Sequence, residues 1–116
     1  IEALKNLDKL EVLTANNCQI ADYSTLKRLS NLRILSLSNN YYADISFLRG
    51  LKSLEVLYLE GSTGITDYSP LYRLENLKVL YLDPSLDKKI QHELKENLHG
   101  VRIIYGYYNS SEGYQE

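Results

Sequence analysis

Apolar and polar residues recur along this chain with a fixed long period. Runs of the form Leu-x-x-Leu-x-Leu begin at Leu10, Leu32, Leu54 and Leu77, at steps of 22, 22 and 23 residues. Their inner positions are Leu13 and Ala15, Leu35 and Leu37, Leu57 and Leu59, and Leu80 and Leu82. After each of the first three runs comes a second block, in which Ile20, Tyr42 and Ile65 are followed two residues later by Asp22, Asp44 and Asp67. Leu26 and Leu29, Leu48 and Leu51, and Leu71 and Leu74 complete that block. A recurrence of this length identifies a repeat architecture before any single helix or strand is assigned. Ile1, Leu4 and Leu7 fit the tail of a preceding unit, so the chain is expected to begin in mid-repeat, with further sequence ahead of it.

Each run predicts a short strand whose alternate side chains point inward and outward. One such rung cannot bury its own leucines. Stacked as parallel strands about 4.8 Å apart, successive rungs make a continuous sheet, and the Leu26 and Leu29 type residues close the core from the other side. Asn, Ser, Gly and Asp between the two apolar blocks exclude a helix running through the unit, and the return segments have room only for a turn or a 3-10 helix. Residues 85–100 break the period. Pro84 stops the strand, Ser85 or Asp87 can cap a helix, Ile90, Leu94 and Leu98 form one apolar stripe, and Gly100 suits a left-handed stop. Val101 to Gly106 then predicts a last strand with Ile104 inward and Ile103 outward beside Val79. The expected organisation is repeats over 1–84, a capping helix and final strand over 85–106, and a polar tail over 107–116.

These residues resemble leucine-rich repeats of the bacterial internalin type, whose unit reads L-x-x-L-x-L-x-x-N-x-I-x-D-I-x-P-L-x-x-L-x-x-L. The likeness covers residues 1 to about 84 and includes the D-I-x-P-L block as Asp67 to Leu71. Two departures stand out. The asparagine position is Asn40 in one unit but Cys18 and about Ser62 in others, and one extra residue falls around Ser62 to Gly64. The resemblance implies an α/β fold: a right-handed leucine-rich-repeat solenoid with a parallel concave sheet, short 3-10 or turn segments on the convex side, and the concave face as the usual contact surface. The expected function is a binding module of a bacterial surface or secreted protein, and catalysis is not expected because no acid, base or nucleophile set converges on one pocket.

Composition narrows the function. The net charge is −2 over 116 residues, with both signs interspersed, which removes the electrostatic basis for nucleic-acid binding or an anionic membrane as partner. No apolar run approaches the roughly 20 residues of a membrane span. A single cysteine excludes an internal disulfide framework and a multi-thiolate metal site. No phosphate loop, nucleophile elbow or metal-protease motif occurs, and no cofactor is expected.

The outward strand positions form columns. Val12, Ile34, Val56, Val79 and Ile103 make an apolar one; Thr14, Ser36, Tyr58, Tyr81 and Tyr105 a second; Asn16, Ser38, Glu60, Asp83 and Tyr107 a third. Tyr58, Tyr81, Tyr105 and Tyr107, with Glu60, Asp83, Val56 and Val79, are therefore the candidate contact residues for a protein or peptide, one with some basic character. Strand propensity alone also favours Val, Ile and Tyr at such positions. Glu11, Arg33, Glu55 and Lys78 alternate in sign and are expected to pair weakly between rungs. Asp22, Asp44 and Asp67 recur once per unit, which suits turn capping better than calcium binding. Cys18 reads as structural and His92 and His99 as solvated. Asn109 to Ser111 is a glycosylation acceptor by pattern alone. Two rival functions remain: a terminating region of a longer solenoid, or an intracellular regulatory subunit of an enzyme. An uncovered first strand would also permit end-to-end self-association.

Overall fold

A computed structural model describes residues 8–18, 23–42 and 44–106, and the backbone of two short strands at 108–109 and 113–114. Five strands pair in parallel in chain order: β1 (Val12–Thr14), β2 (Ile34–Ser36), β3 (Val56–Tyr58), β4 (Val79–Leu82) and β5 (Arg102–Tyr105). Between the first four lie 3-10 turns at Ser24–Arg28, Ser46–Gly50 and Ser69–Leu71. Helix α1 (Lys88–Asn97) takes the corresponding place between β4 and β5. A further pair, β6 (Tyr108–Asn109) and β7 (Gly113–Tyr114), is antiparallel. The solenoid predicted from the period is thus the fold.

The core lies between the sheet and the turns. Leu35, Leu57 and Leu80 from the strands, and Leu26, Leu48 and Leu71 from the turns, have 0% exposure. On β1, which has a described neighbour on one side only, Leu10 and Leu13 stay half-buried while Ala15 is buried. Three rings fill the turn side at the second rung. Tyr23 lies 4.8 Å from Tyr42 and 5.4 Å from Phe47, and the Tyr42 hydroxyl donates to the Leu37 carbonyl at 2.6 Å.

Polar side chains close the gaps between rungs. Buried Asn40 accepts from the Cys18 amide at 2.8 Å and donates to the carbonyls of Ala15, Leu37 and Ser38 at 2.9–3.1 Å. Cys18, in the equivalent position one rung earlier, is half-buried and uses its thiol on the Asn16 carbonyl at 3.4 Å. Asn31 and Asn76 bridge to the loops before them, on the carbonyls of Asp8 and Lys52 at 2.6 and 2.8 Å. The extra residue near Ser62 is absorbed without a break in the sheet. Gly61 and Gly64 take φ of +73° and +92°, and a Cβ at either would collide with Asn39 or with the Tyr42 carbonyl.

The last rung departs from expectation. In β5, Arg102 pairs with Val79, Ile103 with Leu80, Ile104 with Tyr81 and Tyr105 with Leu82. The expected register placed Ile103 beside Val79, one residue away. A slip of one residue turns every side chain to the other face. Ile103 and Tyr105 accordingly pack against the core, where Leu98 of the α1 end also lies, and Ile104 joins the outer column. The sequence allowed both phases because Ile103 and Ile104 are adjacent and either can be the inward residue. Helix α1 follows the sequence reading. Asp87 is its N-cap, accepting from the Lys89 amide at 2.8 Å, Leu94 and Leu98 are buried, and Gly100 has φ of +75°.

Asn40→Ala removes the side-chain partner of the Cys18 amide and the Ala15 carbonyl, while the Leu37 and Ser38 carbonyls keep the Tyr42 hydroxyl and the Asn17 amide, so a loss of about 2 kcal/mol in urea unfolding is expected. A change below about 1 kcal/mol would show that the asparagine does not join the first two rungs.

Candidate functional site

The sheet's outer face is set by alternation: Val12, Ile34, Val56 and Val79 stand in one register column and Thr14, Ser36, Tyr58, Tyr81 and Ile104 in the next. Over β1 to β3 this face holds a groove of about 410 Å³, lined by Thr14, Ile34, Ser36 and Tyr58 from the strands and by Asn16, Ser38, Asn39 and Glu60 from the turns that follow. Small residues in the first two rungs leave the space, and the Tyr58 ring walls it off at the third. The floor is ordered by hydrogen bonds: Asn16 Oδ1 accepts from the Ser38 amide at 2.8 Å and from the Ser36 hydroxyl at 2.7 Å. Asn17 and Asn39 hold positive φ, 55° and 58°, which turns the chain away from the sheet at the groove's edge.

The candidate contact residues divide on this geometry. Tyr58 and Glu60 line the groove, and Val56 and Val79 are half-buried beside it. Tyr81, expected to be exposed, has 0% exposure. Its ring stacks on Tyr58 at 4.5 Å and 18°, and its other register neighbour is Ile104, itself 1% exposed, so both flanks are covered. Glu60, also expected to be open, is 3% exposed and accepts from the Ser38 hydroxyl. Tyr105 leaves the outer column altogether, because the β5 register sends it to the core side. Asp83 is half-buried, and its carboxylate caps the turn into α1 through the Ser85 amide at 2.9 Å and hydroxyl at 2.6 Å. Tyr107 lies outside the described residues. What the columns undervalued is Thr14, Asn16, Ser36 and Ser38; the readable signal was a change from small to aromatic outward residues after the second rung.

Other expectations fall on structural roles. Arg33 bridges Glu11 at 3.2 Å and Glu55 at 3.0 Å, and Lys78 meets Glu55 at 3.3 Å. The Arg33 hydrogen bond, then that of Lys78, holds the Glu55 carboxyl below its usual range; all these groups are solvent-exposed or nearly so and contribute little to stability. Asp44 and Asp67 cap their turns, accepting from the amides of Ser46 and Ser69 at 2.7 and 2.9 Å. Asp22 is outside the described residues. His92 is exposed near Glu96 at 3.3 Å, and His99 is exposed.

Rungs of one strand and one turn, stacked in parallel around a leucine core, define a repeat solenoid. The family model for leucine-rich repeats in two copies matches residues 8–50. Among solved structures, internalin C2 (inlC2) from Listeria monocytogenes is similar over 91% of this chain, with 32% identity and a TM-score of 0.72. An internalin (inlF) from the same species is similar over 96% of this chain, at 24% identity and a TM-score of 0.73, and shares the fold. Leucine-rich repeats thus occupy residues 8–50, and the chain has the repeat-solenoid fold of its internalin neighbours. It spans 46% and 33% of the lengths of those two chains. No curated protein matches it.

Burial separates the two stacked tyrosines. Tyr81→Ala is expected to cost about 3 kcal/mol or more in unfolding, and Tyr58→Ala about half that or less; equal costs would contradict the burial difference. Alkaline pH tests the aromatic interior. Burial pushes the phenols of Tyr42 and Tyr68 above the usual tyrosine value. The folded state therefore holds these protons more tightly than the unfolded chain. Stability is full below about pH 10 and falls as pH rises beyond it. Urea midpoints at pH about 8 and about 11 should show that fall, and Tyr42→Phe should lessen it.

Proposed function

We propose that this chain is a protein- or peptide-binding module whose contact surface is the outer face of the sheet, centred on the groove over β1 to β3. The groove between the small residues of the first two rungs and the Tyr58 ring carries this reading. Tyr58 supplies a large apolar surface held in place by Tyr81, which lowers the entropy lost on contact. Val56 and Val79 extend the apolar surface, and the half-buried carboxylate of Asp83 beside it favours a partner with basic side chains. In this reading residues 1–84 bind and residues 85–106 close the end of the core. The similarity to internalins supports a setting in a bacterial surface or secreted protein, and no helix among the described residues is long and apolar enough to cross a membrane.

A displayed peptide library selected against the chain tests the proposal. The selected peptides should be rich in Lys and Arg. Thr14→Arg, which fills the groove from an exposed position, should weaken them by about tenfold or more without lowering the melting temperature. Peptides that bind Thr14→Arg and Tyr58→Ala as well as the unaltered chain would overturn it.

A further inference from the structure

On the side opposite the sheet, the 3-10 turns bring cations together. Lys27 and Arg28 end the first turn, Arg49 lies near the end of the second, and Lys52 and Arg73 follow the second and third. All five are exposed. Among the described residues none of them makes an ion pair within 4.0 Å, whereas Arg33 and Lys78 on the strand side are both paired. Three of the five surround one hollow of about 580 Å³, lined by Arg49, Lys52, Ser69, Pro70, Tyr72 and Arg73. No carboxylate lines it. Asp67 acts on Arg49 from beyond ion-pair distance, and its carboxylate is already engaged by the Ser69 amide.

Asp67 and Glu93 act on this concavity from outside its lining, and within it three like charges repel each other and raise the local potential, which an incoming anion relieves. The hollow is of the size that admits a few side chains. Its walls are mixed: three cations and a hydroxyl, with the half-buried Tyr72 ring offering apolar contact. We infer that this turn-side hollow is a docking site for an acidic segment of a protein, with its carboxylates on Arg49, Lys52 and Arg73 and its apolar parts on Tyr72. Lys27 and Arg28, one rung away, extend the positive track along the solenoid. A peptide fits better than a long polyanion because the chain as a whole carries −2 and repels extended negative charge beyond the hollow. This surface is separate from the sheet groove, so the chain would hold two protein segments of opposite charge on opposite sides.

The experiment uses the full chain and a short fluorescein-labelled peptide of Asp, Glu, Gly and Leu, with an analogue carrying Asn and Gln in place of the acids, read by fluorescence anisotropy. Heparin serves as the sulfated polysaccharide. The acidic peptide should bind about tenfold or more tighter than its neutral analogue, and the preference should shrink as ionic strength rises from about 0.05 to about 0.3 M. The double variant Arg49→Gln with Arg73→Gln should abolish the preference at unchanged melting temperature, and Lys52→Gln alone should reduce it. Thr14→Arg at the sheet groove should leave it intact, which keeps this result independent of the sheet-face reading. Equal binding of the neutral analogue, or an acidic preference that survives the double variant, overturns the inference. So does heparin binding that the double variant abolishes while the acidic peptide fails to bind, since the site would then belong to a polysaccharide.

Discussion

Every other feature of this protein depends on the inability of one rung to bury its own leucines. A strand of three or four residues with two inward side chains has no interior. Leu35, Leu57 and Leu80 reach zero exposure because each lies between two neighbouring rungs, whereas Leu13, with a described neighbour on one side only, stays half-buried. Stability in such a stack comes from nearest-neighbour interfaces, so parallel register is the quantity the whole molecule must hold. The steps between paired strands are 22, 22, 23 and 23 residues, and at each the inward positions remain aligned.

Register is kept by polar groups as much as by leucines. Tight turns at every rung leave backbone amides and carbonyls inside, and these need partners. Asn40 supplies them for four backbone groups at once, and Asn16, Asn31 and Asn76 tie adjacent rungs in the same manner. Where the third unit carries one residue more, glycines at positive φ take up the added length in the turn, and the strands on either side stay paired.

The solenoid also sorts its surface. Because each position in the unit repeats at one place on the exterior, a residue type that recurs becomes a column. The outer sheet face collects hydroxyls, amides, aromatic rings and carboxylates around a groove, and the turn side collects cations without ion pairs. Charges between these two surfaces, in the ladder from Glu11 to Lys78, neutralise one another. A chain of low net charge thus presents two surfaces of distinct chemistry, which is the physical basis for assigning each a different partner.

How far the sequence could be read follows from what repeats. Period, strand positions, the inward leucines, the Asp44 and Asp67 caps, the Glu11 to Lys78 ladder and the helix from its Asp87 cap to Gly100 were all legible, because each rests on spacing or on local backbone chemistry. The candidate site was legible only in part. Tyr58, Glu60, Val56 and Val79 were placed on the correct face, but the burial of Tyr81 depends on the ring stacked to one side and Ile104 on the other, and neither contact is a property of the strand itself. The phase of β5 was undetermined because Ile103 and Ile104 satisfy the inward position equally. In the fold Ile103 and Tyr105 are the residues that pack against the leucine core. The groove and the basic hollow likewise join residues from two or three rungs. Local alternation therefore decided which face each side chain takes within a rung, whereas exposure, neighbours and the final register came from packing between rungs, where the competing arrangements differ in buried area rather than in sequence pattern.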